Sequence, residues 1–442
     1  MRLHLEYTFF IGKNPSIWAN PNINQIDPDD YLHNPDPKRD RENDKGGNIF
    51  TARGLANIGC LVFLVVGLTT LFTLGAFNIG GVNASGQVPQ FPNNLSLIDK
   101  HTPIEAYSKT SFEGVEMTLV FSDEFEVDGR SFYPGDDPYW EAADLNYWQT
   151  GDLEWYDPSA ATTKDGKLVL TLSNTPEHNL SYTSGMITSW NKFCFTGGRI
   201  EVSVILPGSN KVPGLWPAVW TMGNLGRAGY GASLEGMWPY TYDSCDVGTL
   251  PNQTLNGQPE AATINGDPTK GNVLSWLQGQ KLSSCTCKGE PHPGPIRPDG
   301  TFVGRGAPEI DVLEAQVNPV SDIGTVSQSC QWAPFDASYI WDNSSANIQI
   351  NDPTITQLNP YKGGALQEAT SGLSLTNASC YELNGACSTV YGYEYLPDRT
   401  KGYISWINNG QQAWTIQAAG MGPNPIVNIS QRIIPEEPMV RP

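Results

Sequence analysis

Residues 308–316 read PEIDVLEAQ, which places Glu309, Asp311 and Glu314 within six residues of an otherwise apolar run. Two carboxyl groups held about 5–5.5 Å apart are the apparatus of a retaining glycosidase, in which one attacks the anomeric carbon and the other protonates the leaving oxygen. Side chains of a regular strand alternate, so Glu309 and Asp311 share a face while Glu314 points to the other. One extra residue, a β-bulge, restores the face and brings Glu314 into line with the other two. The outer Cα atoms then lie roughly 13 Å apart at about 3.3 Å per step, a gap that two inward-leaning Glu side chains close. An Asp between them can share a proton and tune both neighbours. A solvated acidic face is the competing reading; Ile310, Val312 and Leu313 argue for a strand with one buried side instead.

The segment GLWPAVWTMG carries Trp216 and Trp220 ahead of the acids, and Trp332 follows them. Sugar rings present flat apolar C–H faces, so Trp216, Trp220 or Trp332 could floor a cleft while polar groups fix the hydroxyls. Each of these, taken singly, fits a sandwich core equally well; Trp216 and Trp332 are the first choices for the floor. Other chemistries lack their parts. The body beyond His101 holds only His178 and His292, with no G-x-S-x-G elbow and no P-loop. Cys285-Thr-Cys287 with His292 is not a standard zinc spacing, so neither a metal nor another cofactor is expected. A net charge of -20 excludes nucleic acid as a partner, because phosphate neutralisation needs clustered Lys and Arg.

The elements that must position these residues are short. MTLVFSDEF, GKLVLTLS, SGMITSW, GRIEVSVILP, AVWTMG, PEIDVLEAQ and KGYISWI are apolar or alternating runs bounded by Gly, Pro, Asp or Asn, as strands are. Many short strands without helical periods predict an all-β body, a two-sheet sandwich or jelly roll, over 112–442. Between 224 and 306 the pattern dissolves into Gly, Pro, Ser and polar residues, which reads as a long insertion covering a site or decorating the fold.

The first part of the chain obeys other rules. Residues 1–54 are polar and turn-rich, with no period long enough for a core, and read as a disordered cytoplasmic tail. Leu55 to Phe77 contains no charged residue, and none follows until Asp99. A helix of roughly 20 such residues crosses a bilayer core of about 30 Å, so 55–79 reads as an uncleaved signal anchor in preference to a buried helix or a cleaved signal peptide. Lys38, Arg39, Arg41, Lys45 and Arg53 precede the span and no Lys or Arg follows until Lys100, which predicts a cytoplasmic N-terminus and a type II topology. Residues 80–111 form a stem on the lumenal side. Every Asn-x-Ser/Thr sequon lies after the span: Asn83, close to the membrane, then Asn94, Asn179, Asn252, Asn343, Asn377 and Asn428. A secretory-pathway membrane is therefore the expected location, with the body lumenal or extracellular. Cysteines there default to disulfides; Cys380 and Cys387 are spaced to close a short loop, and Cys245, Cys285 and Cys287 to staple the insertion.

The ordered motifs FSDEF, DGKLVLTLSN, SGMITS, GGRIEV, GLWPAVWTMG, PEIDVLEAQ, YGYEYLPD and RIIPEEPM resemble family 16 glycoside hydrolases. More narrowly, with DDYLHNPDP in the tail, they resemble the fungal β-glucan-synthesis-associated type II membrane proteins of the Skn/Kre group. The resemblance implies a jelly roll and a part in making cell-wall β-1,6-glucan, with glucan as substrate and the glucan synthesis machinery as partner. It makes Glu309 the nucleophile, Asp311 its assistant and Glu314 the acid/base, and it places Glu201 in the cleft. Where secreted hydrolases of the family often read E-x-R, this chain has Glu201-Val202-Ser203, and where many carry a His after GTV it has Ser327. Those departures favour transglycosylation, or glucan binding without chemistry, over ordinary endo-hydrolysis. The family pattern also continues into further strands beyond RIIPEEPM, so the resemblance implies sheet edges that lack partners here.

Overall fold

The computed structural model describes residues 2–12, 96–148, 151–190, 192–223, 308–332, 340–364, 367–398, 400–423 and 439–440. Its main strands are β1 (Arg2–Gly12), β2 (Glu116–Asp123), β3 (Gly198–Ile205), β4 (Ala218–Gly223), β5 (Glu309–Asn318), β6 (Ile323–Trp332), β7 (Gln367–Leu375), β8 (Thr389–Leu396), β9 (Tyr403–Asn408) and β10 (Gln411–Gln417). Among the described residues they form two large antiparallel sheets. The first runs β10-β9-β8-β3-β1-β2, with Ile348–Ile350 beside β10 and Ser108–Thr110 beside β2. The second runs β7-β6-β5-β4, flanked by Thr356–Leu358 and by Met439–Val440.

Alternation within each strand sends one set of side chains between the sheets. On β3, Ile200, Val202 and Val204 are wholly buried; on β5, so are Ile310, Val312 and Leu313. They meet Val326, Trp332, Tyr391, Tyr393, Trp406 and Trp414 in one apolar layer. Full burial of a side chain of this size contributes about 1.5–3 kcal/mol, and the aromatic members dominate the total. The expected all-β sandwich is thus the observed one.

Cys380 and Cys387 are bonded, whereas Cys194 and Cys330 are thiols. Cys245, Cys285 and Cys287, the insertion 224–306 and the apolar span 55–77 lie outside the described residues. Among the described residues no helix is long and apolar enough to cross a membrane. The chain divides into two units, 1–12 with 90–442 and 13–89, and every described residue belongs to the first.

Several expectations need correction. Residues 96–111, expected to belong to a flexible stem, are part of the body: Ser108–Thr110 pair with β2, and Asp99 and Thr102 are buried against Ser122. Arg2–Gly12, read from sequence as the start of an unstructured tail, pair as a strand with β3 on one side and with β2 on the other. Its run RLHLEYTFFIG is long enough for a strand and free of Pro, so the sheet supplies the partners that a local reading does not see. Glu201 is carried by the first sheet, not the one bearing the acids. With Ile200 and Val202 turned inward, Glu201 faces outward, where Lys109 binds it at 2.5 Å and Arg199 approaches to 3.6 Å.

Candidate active site

On β5 the register supplies the extra residue. Asp311 pairs with Ser329 of β6 and Glu314 with Ser327, three steps against two. The β4 side agrees, since Val219 pairs with Leu313 and Trp220 with Asp311, leaving Val312 over. Glu309, Asp311 and Glu314 accordingly share the face that turns away from the interior, and Ile310, Leu313 and Ala315 fill the interior side. The bulge explains why the acids are spaced two and then three apart.

Asp311 is wholly buried at the centre. Its Oδ2 accepts Ser329 Oγ at 2.6 Å and the amide nitrogen of Gln331, both on the same face of β6. Burial raises its carboxyl well above the ordinary range, and the charge of Glu309 and a hydrogen bond shared with Glu309 raise it further, against the pull of Ser329 and Gln331. Asp311 and Glu309 thus share a hydrogen bond between their carboxyl groups, which keeps the Glu309 carboxyl oriented. Burial, then the charge of Asp311, pushes Glu314 up to about 8, while the Trp216 indole opposes the shift. Glu314 is consequently a protonated acid at neutral pH, the state a leaving-group donor needs.

Tyr147 completes the cluster, and no sequence pattern pointed to it. Its phenol is raised by burial first and then by Glu309, Asp152, Asp311 and Glu314, so it stays an O–H. Its ring lies parallel to Trp220, centroids 6.3 Å apart. A lone Tyr in the polar run LNYWQTGD carries no periodic signal; only the chain's return to the mouth of β4 and β5 reveals it.

The aromatic candidates divide by strand parity. Trp220 faces the site beside Tyr147, and Trp216, 54% exposed, stands next to Glu314. Trp332 does not join them. Ser327, Ser329 and Gln331 occupy the site face of β6, so Trp332, one residue on, turns inward, is 1% exposed and donates its indole N–H to Thr370 Oγ1 at 3.0 Å. Ser327, opposite Glu314, hydrogen-bonds Ser371 Oγ at 2.9 Å, a neutral pair where a cation would have lowered the acid. Ser203 shares the outward face of Glu201 on the first sheet, so that departure does not touch the acids. Among the described residues no cluster of His, Cys, Asp and Glu could hold a metal ion.

Of the sequon asparagines, Asn179 and Asn343 are exposed in loops and Asn377 is half-buried, accepting from Ser379 N–H. Asn94, Asn252 and Asn428 lie outside the described residues.

Residues 19–441 match the family model described as beta-glucan synthesis-associated protein SKN1/KRE6/Sbg1. The chain belongs to this family. It is 43% identical to the "Beta-glucan synthesis-associated protein KRE6" of Saccharomyces cerevisiae over 439 residues, 94% of this chain and 57% of that protein. To the "Beta-glucan synthesis-associated protein SKN1" of Candida albicans it is 41% identical over 457 residues, 98% of this chain and 58% of that one. This family member thus spans a little over half the length of the curated relatives it matches. Among solved structures, it is similar to the laminarinase from Rhodothermus marinus at a TM-score of 0.39 and 17% identity, covering 73% of this chain and 82% of that chain. A second is SCLam, a non-specific endo-β-1,3(4)-glucanase from family GH16, at a TM-score of 0.36 and 13% identity, covering 73% and 77%.

Proposed function

We propose that this chain rearranges β-glucan by a retaining mechanism in the synthesis of fungal cell-wall β-1,6-glucan. The supporting observation is the bulge at Val312, which puts three acids on one face, with the Glu314 carboxyl pushed up to about 8. Glu309 attacks the anomeric carbon and forms a glycosyl ester as the glycosidic C–O bond breaks, and Glu314 gives its proton to the leaving oxygen. Glu314, now a carboxylate, takes the proton of an acceptor hydroxyl, whose oxygen displaces Glu309 from the sugar. A second sugar as acceptor makes the reaction a transfer; water makes it hydrolysis. Asp311 steadies Glu309 throughout, and Trp216 and Trp220 offer apolar faces to the rings.

A second reading is a glucan-binding scaffold for the synthesis machinery, favoured by the exposed Trp216. Attachment through residues 55–77, with the body on the lumenal side of a secretory membrane and glycans on the exposed sequons, belongs to either reading. The deciding experiment incubates the purified chain with defined β-1,3 and β-1,6 oligosaccharides and sizes the products. Longer products mean transfer and shorter ones hydrolysis. Unchanged oligosaccharides that still bind, with binding lost in Trp216→Ala, mean a scaffold.

A further inference from the structure

The bulge opposes two residues, Val312 and Leu313, to a single one, Gln328 of β6. Such an irregularity leaves backbone groups outside the regular ladder, and a buried carbonyl without a donor destabilises the fold. Both carbonyls at this point are met by side chains from the interior. Trp406 Nε1 donates to Asp311 O at 2.9 Å. Gln328 Nε2 donates to Val312 O at 2.9 Å and, with its other hydrogen, to Ile407 O of the facing sheet at 2.9 Å. Gln328 is wholly buried, a primary amide on the interior side of β6. Its use there is explained by the need for two donors from one side chain.

The donors are themselves held. Trp406 stacks on Trp414 with centroids 4.3 Å apart and planes within 3°. Trp414 fits because its neighbour on β7 is Gly372, which pairs with Gln328; a Cβ there would come within 2.5 Å of Trp414 Nε1. Gly372, Trp414, Trp406 and Gln328 therefore form one support beneath the acidic face.

We propose that Gln328 and Trp406 are positioning residues, which clamp the bulge at Val312 from the interior and so keep Glu314 on the face of Glu309 and Asp311. A strand that loses the extra residue's register turns every side chain beyond it to the opposite face, sending Glu314 inward. The inference deepens the catalytic reading above but is legible without activity, because Glu314 reports its own surroundings.

The test compares the purified full chain with Gln328→Met, which keeps the side chain's shape and removes both donors. Trp406→Phe, which removes one N–H and keeps a stacked ring, serves where Gln328→Met does not fold. Two quantities are measured: kcat and KM on a β-glucan oligosaccharide, and the titration of the Glu314 carboxyl by 13C NMR, assigned with Glu314→Gln. The expected result is a kcat lower by about 10²-fold with KM within about twofold, and a Glu314 midpoint displaced by about one pH unit or more. A variant with lowered Tm but wild-type kcat and an unmoved Glu314 midpoint overturns the proposal and leaves Gln328 a packing residue. Should the wild-type chain turn over no glucan, the catalytic reading fails by itself, and the Glu314 titration alone decides whether the clamp holds.

Discussion

Trp216 donates its indole N–H to Glu314 while leaving 54% of its own surface exposed. One side chain thus bears on acid strength and on the wall a sugar would meet. The hydrogen bond favours the ionised acid, so its loss raises the Glu314 pKa above about 8. In Trp216→Phe the alkaline limb of kcat/KM is expected to move to higher pH with a small rise in KM. Trp216→Ala should move the limb equally and raise KM further, which pH–rate profiles on one oligosaccharide would show.

Glu314 also links stability to pH. Folding raises its pKa from 4.5 to about 8, so the native state binds this proton more tightly than the unfolded chain. The contribution is fully present below about pH 4.5 and is lost as pH rises through about 8. Glu314→Gln is expected to flatten that decline in Tm and to stop turnover at the same time. An unchanged Tm–pH curve would mean that the carboxyl is solvated in the native state.

Arg130 lies between two buried acids, contacting Asp123 at 2.7 Å and Asp137 at 2.6 Å. Trp140 Nε1 also donates to Asp123, at 2.9 Å. Removing the guanidinium leaves two buried carboxyl groups without their cation, a change that costs about 3–5 kcal/mol. Arg130→Ala should show that loss in urea denaturation, and Arg130→Lys most of it, since an ammonium does not span both acids.

Gly372 tests the support from its far end. Gly372→Ala sets a methyl against the Trp414 ring, and overpacking of this kind costs about 1–3 kcal/mol. Thermal unfolding should register the cost. Turnover should fall as well, because displacement of Trp414 is passed through the stack to Trp406 and the carbonyl of Asp311.

Glu201 and Glu309 lie on different sheets. Glu201 is held by the partly exposed Lys109, and pairs of that kind contribute about 0–1 kcal/mol. Glu201→Gln should leave product formation within about twofold of wild type, whereas Glu309→Gln should abolish it with Tm preserved. Equal losses in both variants would return Glu201 to the cleft.

How much of this was legible in advance depended on range along the chain. The spacing of Glu309, Asp311 and Glu314 on an apolar run carried its own instruction: period two for the strand, one residue too many, hence a bulge and one acidic face. That inference needs only local geometry, as does the sandwich read from short alternating runs. Trp332, which fits floor and core equally well on sequence, turns inward because parity depends on where a strand's register begins, and its pairing with β5 sets that. Arg2–Gly12 became a strand through partners more than a hundred residues away. The same holds for Tyr147 at the acids, Ser329 and Gln331 on Asp311, and Gln328 and Trp406 under the bulge. Side-chain alternation is a property of the covalent chain and is written in its order; which donor meets which carbonyl, and which acid keeps its proton, follow from burial and cross-sheet contact, which exist only once the two sheets have closed.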